Sequence, residues 1–278
     1  MTWFLDLRAD RAGGNPAREV QVRRNGDLVF RLDPFLEAVR GRDVLLGTHG
    51  FNVNRKDGIA SLSSWSNLLQ LGEGALFVGV LWPGDSRWLP VVDYPFEGDE
   101  ARDSGRLLAP FLDKYLGEAA SLSFASHSLG ARMVLETIHQ MRHRVRRLTL
   151  MAGAIEDNCL IKEYGDVPAK VDEISVLASH GDYVLKLAFP VGNTLGGIIY
   201  RGHPYWHGAL GHDGPDKAFP GNLRSGWQIP DNWKYGHGDY LGGSPPPLAM
   251  PVTVPPKGSP LPGSKPAWSA GFVATRFK

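Results

Sequence analysis

A strand-like run, Ser121–Ser126, leads through Ser128 straight into the helical pattern Leu129–Met141, so that Ser126-His127-Ser128-Leu129-Gly130 occupies the turn. A serine in so tight a strand-to-helix turn, with small residues two positions away on each side, has its hydroxyl exposed beside the positive end of the helix. Such a serine suits nucleophilic attack. A serine before a helix also serves as an N-cap, so the reading turns on partners. The hydroxyl needs a base to take its proton, a carboxylate to orient that base, and N–H groups to hold an oxyanion. His237, between Gly236 and Gly238, is the candidate base. Asp182 is the candidate carboxylate, just past the strand-like run Ile174–Ala178, at the edge where open α/β sheets collect catalytic groups. Asp157 also follows a strand and is the alternative acid.

Positioning these residues requires a sheet. Asp43–Thr48, Ala75–Trp82, Ser121–Ser126, Arg147–Ala152 and Ile174–Ala178 are apolar runs without in–out alternation, as expected of strands covered on both faces. Arg102–Leu116 and Leu129–Met141 carry apolar stripes at helical spacing between them. The alternation predicts an α/β fold with a mostly parallel central sheet flanked by helices. Val20–Val22 and Leu28–Leu32 are expected to add an antiparallel edge. From Gly192 to Gly243 the chain reads as loop, dense in glycine and aromatic residues. Proline then recurs from Gly242 to Pro266, which excludes sheet interior and helix there. The expected organisation is one domain over 1–242 and a proline-rich C-terminal arm or tail over 243–278.

Composition limits the partners. Lys and Arg number 30 against 29 Asp and Glu, a net charge of +1, so no electrostatic surplus recommends nucleic acid or an anionic membrane. A single cysteine, Cys159, allows no internal disulfide and fits a reducing compartment. Charges at Asp6, Arg8, Asp10 and Arg11 interrupt the N-terminal apolar run, and no stretch approaches the ~20 apolar residues of a membrane span. A cytoplasmic location without stable membrane insertion is expected. His203, His207 and His212 invite a metal reading, but no cysteine or helical face supports them. Neither metal nor cofactor is expected.

The set Gly47-Thr-His-Gly-Phe-Asn52, Leu81-Trp-Pro-Gly84, Ser126-His-Ser-Leu-Gly130, Gly181-Asp182 and Gly236-His237 resembles bacterial α/β-hydrolases of the esterase/lipase type, in a branch with a His-Gly-(Tyr/Phe)-Asn turn. The likeness spans Asp43 to Leu241, and the order Ser128, Asp182, His237 is the family's. It departs from the pattern at Ser126, where a glycine is usual, in the long aromatic loop before His237, and at the proline-rich end. The resemblance implies an α/β-hydrolase fold without a large cap domain. It also implies an oxyanion hole from the main-chain N–H groups of Phe51 and Leu129, and a Ser-His-Asp esterase for small-to-medium acyl chains that takes a small-molecule ester. A lipase or thioesterase on the same triad, or an inactive hydrolase-fold binding protein, are the alternatives. His49, Trp82, His127, Trp206 and Trp233 are the pocket candidates, with His49 more naturally a structural histidine.

Overall fold

Runs of valine, leucine and phenylalanine that need cover on both faces become the middle of a single sheet in the computed structural model. The structure describes residues 1–9, 16–84, 94–186, 208–216, 219–242 and 258–277. Among these, nine strands run β1 (Trp3–Arg8), β2 (Pro16–Arg24), β3 (Asp27–Leu28), β4 (Asp43–Thr48), β5 (Ala75–Leu81), β6 (Ser121–His127), β7 (Val145–Met151), β8 (Val171–Ala178) and β9 (Leu223–Gln228). Their spatial order is β3-β2-β1-β5-β4-β6-β7-β8-β9. The pairs β1–β2 and β2–β3 are antiparallel, and every other pair is parallel. The expected antiparallel edge is therefore present, at β2 and β3. The N-terminal run, weighed in the sequence only for leader signals, is β1, and all six of its residues are buried.

Helices α1 (Asp33–Val39), α2 (Arg55–Leu69), α3 (Tyr94–Tyr115) and α4 (Gly130–Gln140) connect the strands. Helix α2 opens on Asn54, whose side chain accepts the Asp57 N–H at 2.9 Å, and closes on Gln70 in the left-handed region. That satisfies one of the otherwise orphaned N–H groups of its first turn. In α4 the spacing of Met133, Val134 and Ile138 puts an apolar face against the sheet, and all three are buried.

Chain order decides where a site can form. The connection from β4 leads to β5 on one side, and the next strand, β6, lies on the other side of β4. The strand order thus reverses at β4 and β6, and the crevice beyond their C-terminal ends is where open α/β sheets receive ligands. Thr48 at the end of β4 is in register with Ser126 near the end of β6. No domain is inserted between β7 and β8; residues 152–170 form turns and one short helical turn.

The 243–278 reading needs revision at its end. Residues 243–257 lie outside the described ones, but Lys265–Phe277 is a helix with Trp268, Phe272, Val273 and Phe277 buried. Proline before it hid a segment that packs on the core; only Pro266, in the first turn where no N–H is needed, enters the helix. The stretch read as loop likewise contains β9, whose Gly226 and single large aliphatic residue, Leu223, gave no strand pattern.

Candidate active site

Strand β6 ends at His127, and the next residue turns the chain by a strained conformation. Ser128 has φ +55°, a region that costs a non-glycine residue about 1–3 kcal/mol. The surroundings hold it there. Its N–H donates to the Met151 carbonyl (3.0 Å), and its carbonyl accepts from Ala131 (3.0 Å) and Ala154 (3.1 Å). The neighbours at i±2 must be small. Ser126 is fully buried, and a Cβ on Gly130 would lie 2.4 Å from the His49 carbonyl oxygen. Serine meets the size requirement at 126, where the family pattern has glycine.

Ser128 Oγ lies 2.7 Å from His237 Nε2, and His237 Nδ1 lies 2.7 Å from Asp182 Oδ2. A carboxylate only accepts, so the Nδ1 proton points at Asp182 and leaves the Nε2 lone pair for the serine hydroxyl. Asp182 is fully buried, and its second oxygen accepts the Leu185 N–H at 3.0 Å. The structure therefore brings together the three residues singled out in the sequence. Asp157, the alternative acid, is engaged elsewhere: its Oδ2 accepts the Gly208 N–H at 3.3 Å, and its main chain pairs with Gly208 and Asp216.

The turn after β4 sits directly over the serine. A Cβ on Gly50 would stand 2.7 Å from Ser128 Cβ and 3.2 Å from its Oγ, so only glycine permits this approach. Several bonds fix the turn. His49 Nδ1–H donates to the Gly50 carbonyl (2.8 Å), Trp82 Nε1–H donates to the His49 carbonyl (3.0 Å), and the Asn52 N–H donates to Gly84 (2.5 Å). Arg8, buried at the end of β1, donates from Nη1 to the carbonyls of Val53 (2.9 Å) and Trp82 (2.7 Å). Phe51 follows in this turn, Leu129 follows the nucleophile, and among the described residues neither N–H meets a protein acceptor. In sequence, Phe51 adjoins Gly50, which makes the close contact with Ser128, and Leu129 adjoins the serine itself.

The pocket candidates divide. His49 and Trp82 are buried and stack at 5.9 Å, and Trp82 bonds to the turn through its indole N–H. Trp233 packs with the C-terminal helix. It is buried, its Nε1–H donates to the Ser259 carbonyl (2.7 Å), and its ring meets the edge of Trp268 at 5.1 Å. Trp206 lies outside the described residues, as do His203 and His207 of the metal reading. His212 is paired with Asp213, and no group of metal-ligating side chains occurs among the described residues. His127 does lie at the site, its ring centroid 5.0 Å from that of His237.

The groups that hold the His237 turn had no signal in the sequence. Ser179 Oγ donates to the Tyr235 carbonyl (2.8 Å). Asp239 accepts the Gly236 N–H (2.7 Å) and Lys265 Nζ (2.7 Å), and Lys265 also reaches the Lys234 carbonyl (2.6 Å). Tyr235 donates to the Lys265 carbonyl and meets Ser269. Apart from the local Gly236–Asp239 bond, these contacts join segments distant in sequence, and no local pattern announces them.

Comparison with known proteins agrees with the architecture. A family described as alpha/beta hydrolase of unknown function (DUF900) matches residues 29–211. Among solved structures, the esterase PE8 is similar at 15% identity over 72% of this chain and 86% of its own, with a TM-score of 0.39. An esterase of Pyrococcus furiosus is similar at 10% identity over 57% of this chain and 70% of its own, TM-score 0.33. A hyperthermophilic esterase from the archaeon Pyrobaculum calidifontis is similar at 14% identity over 58% of this chain and 63% of its own, TM-score 0.32. At these scores the likeness carries no argument about activity. No curated protein matches the chain. Among the described residues, no helix is long and apolar enough to cross a membrane.

Proposed function

The chain belongs to the α/β-hydrolase family of unknown function DUF900, and from that membership we propose that it is a serine esterase acting on carboxylic esters of small-to-medium acyl chain. The observation that supports this reading is the continuous Ser128–His237–Asp182 hydrogen-bonded chain, 2.7 Å at each link, ending on a serine held at φ +55°. His237 Nε2 takes the Ser128 proton as Oγ attacks the ester carbonyl. The N–H groups of Phe51 and Leu129 hold the oxyanion. Collapse of the tetrahedral species expels the alcohol, which receives the proton from His237. A water, deprotonated by the same imidazole, then releases the acid from Ser128. Asp182 orients the imidazole through its Nδ1–H and stabilises the imidazolium that forms.

The test is hydrolysis of p-nitrophenyl esters from acetate to laurate by the wild type and by Ser128→Ala, with fluorophosphonate labelling of both. The wild type should hydrolyse the shorter esters fastest and label once, and Ser128→Ala should lose about 10⁴–10⁶ in kcat and not label. A rate maximum at long chains would move the assignment to a lipase. An inert, unlabelled wild type would sink the esterase reading.

A further inference from the structure

Strand β6 fixes Ser128 and the end of β8 fixes Asp182, but His237 has no such support. It occupies a single 3₁₀ turn, His237–Asp239, between two glycines, and a Cβ on Gly238 would meet nothing within 4 Å. One turn of 3₁₀ helix with a glycine inside is a soft mount. Catalysis by a general base needs the imidazole held to a fraction of an ångström. The restraint must come from outside the turn.

From this geometry we infer that His127, the residue before the nucleophile, is a positioning residue that clamps His237 by donating its Nε2–H to the His237 main-chain carbonyl; the inference rests on the triad reading above. The two atoms are 2.7 Å apart. A carbonyl oxygen only accepts, so the His127 proton must be on Nε2. The His127 ring also lies against the imidazole it steadies, 5.0 Å between centroids, and against Tyr240 at 5.6 Å. Thus the backbone of the base is bonded, and its ring face packed, by the neighbour of the nucleophile. Nucleophile and base then move as one body, because adjacent residues of a single strained turn hold both.

Charge favours the same role. Loss of water around the ring, followed by the neighbouring His237 and His49, pushes the His127 pKa down to about 3. The side chain therefore stays neutral and keeps one proton on Nε2 across the working pH range. A protonated imidazole here would face His237 at the moment that base gains its own charge, and like charges at this separation oppose each other.

The chemistry predicts which substitutes work. Glutamine places an amide N–H at the reach of histidine Nε2; phenylalanine fills the ring volume and donates nothing. His127→Phe should lower kcat about 10- to 100-fold with KM changed less than threefold, whereas His127→Gln should stay within about fivefold of the wild type. Equal loss in both variants, or an unimpaired His127→Phe, overturns the clamp. An activity-independent arm uses NMR of the imidazole groups. The His127 Nε2–H tautomer should persist without titrating from pH 4 to 9. The low-field His237 Nδ1–H resonance should be sharp in the wild type and His127→Gln, and broadened in His127→Phe. A titrating or Nδ1-protonated His127 sinks the inference. An inert wild type with these resonances intact sinks the esterase reading and leaves the clamp standing.

Discussion

Gly50→Ala adds one carbon at the point where the proposed oxyanion turn crosses Ser128, the proposed nucleophile. The added Cβ would stand 2.7 Å from Ser128 Cβ, 3.0 Å from His127 Nδ1 and 3.2 Å from Ser128 Oγ. Carbon pairs prefer about 3.5–4.0 Å, so the turn after β4 and the turn at Ser128 must part by about 1 Å. Neither side yields readily. Three main-chain bonds hold Ser128, while His49, Trp82 and Asn52 hold the turn through bonds of 2.8, 3.0 and 2.5 Å. The displacement is shared between the nucleophile and the Phe51 N–H. A misplacement of this size costs about 10² in rate, and loss of one oxyanion donor costs about 10²–10³ in kcat. Overpacking costs about 1–3 kcal/mol, well below the ~5–15 kcal/mol that keeps a domain folded. The variant should therefore remain folded at 25 °C, with Tm lowered by about 2–10 °C and kcat lowered by at least about 10². Hydrolysis of a short p-nitrophenyl ester, alongside a thermal melt, measures both. A folded Gly50→Ala with kcat within threefold of the wild type would refute the placement of the oxyanion donors.

Two further outcomes follow from the supports of the base. Lys265→Met removes the bonds to Lys234 and Asp239; a partly exposed pair of this kind contributes only about 0.2–1 kcal/mol to folding, yet it tethers the turn bearing His237. Scanning fluorimetry and steady-state rates should show a Tm within about 3 °C of the wild type but a kcat lowered about tenfold, and an unchanged kcat would detach the C-terminal helix from function. His127 has its folded pKa lowered from 6.5 to about 3, so between those values the unfolded chain binds the extra proton and stability rises with pH. His127 destabilises the fold most below about pH 3 and not at all well above 6.5, so His127→Gln should flatten the dependence of urea stability on pH between 4 and 7; parallel curves would contradict the burial that causes the shift.

The candidate site was legible in the sequence wherever one strand and its own turn decide the geometry. Ser128 was readable because strand, small residues and helix all lie within Ser121–Met141, and Asp182 because it follows the edge of β8. The central strands were readable because burial on both faces imposes a composition. Trp82 and Trp233 were not, since only tertiary packing decides whether an indole lines a cavity or fills the core, and here both fill it. The C-terminal helix lay behind a proline run that breaks any local pattern, although its apolar face is buried. Strand β1 was not readable either, because Asp6 and Arg8 interrupt its apolar run and only tertiary pairing makes their burial acceptable.

The three residues of the proposed triad are therefore secured by different physics. Ser128 is set by backbone strain and main-chain bonds within one turn. Asp182 is set by burial and by its bond to the Leu185 N–H. His237 is set by groups from three other parts of the chain: His127 beside the nucleophile, Ser179 through Tyr235, and Lys265 through Asp239. Local strain survives most distant substitutions, because the bonds that hold it are short-range. A base mounted on long-range contacts does not, because each contact depends on the docking of a separate element. Substitutions far from Ser128 should thus lower activity mainly by displacing His237, leaving Ser128 and the oxyanion turn in place. The C-terminal helix is where such an effect should be largest, since it anchors the base through both Lys265 and the buried Tyr235 hydroxyl.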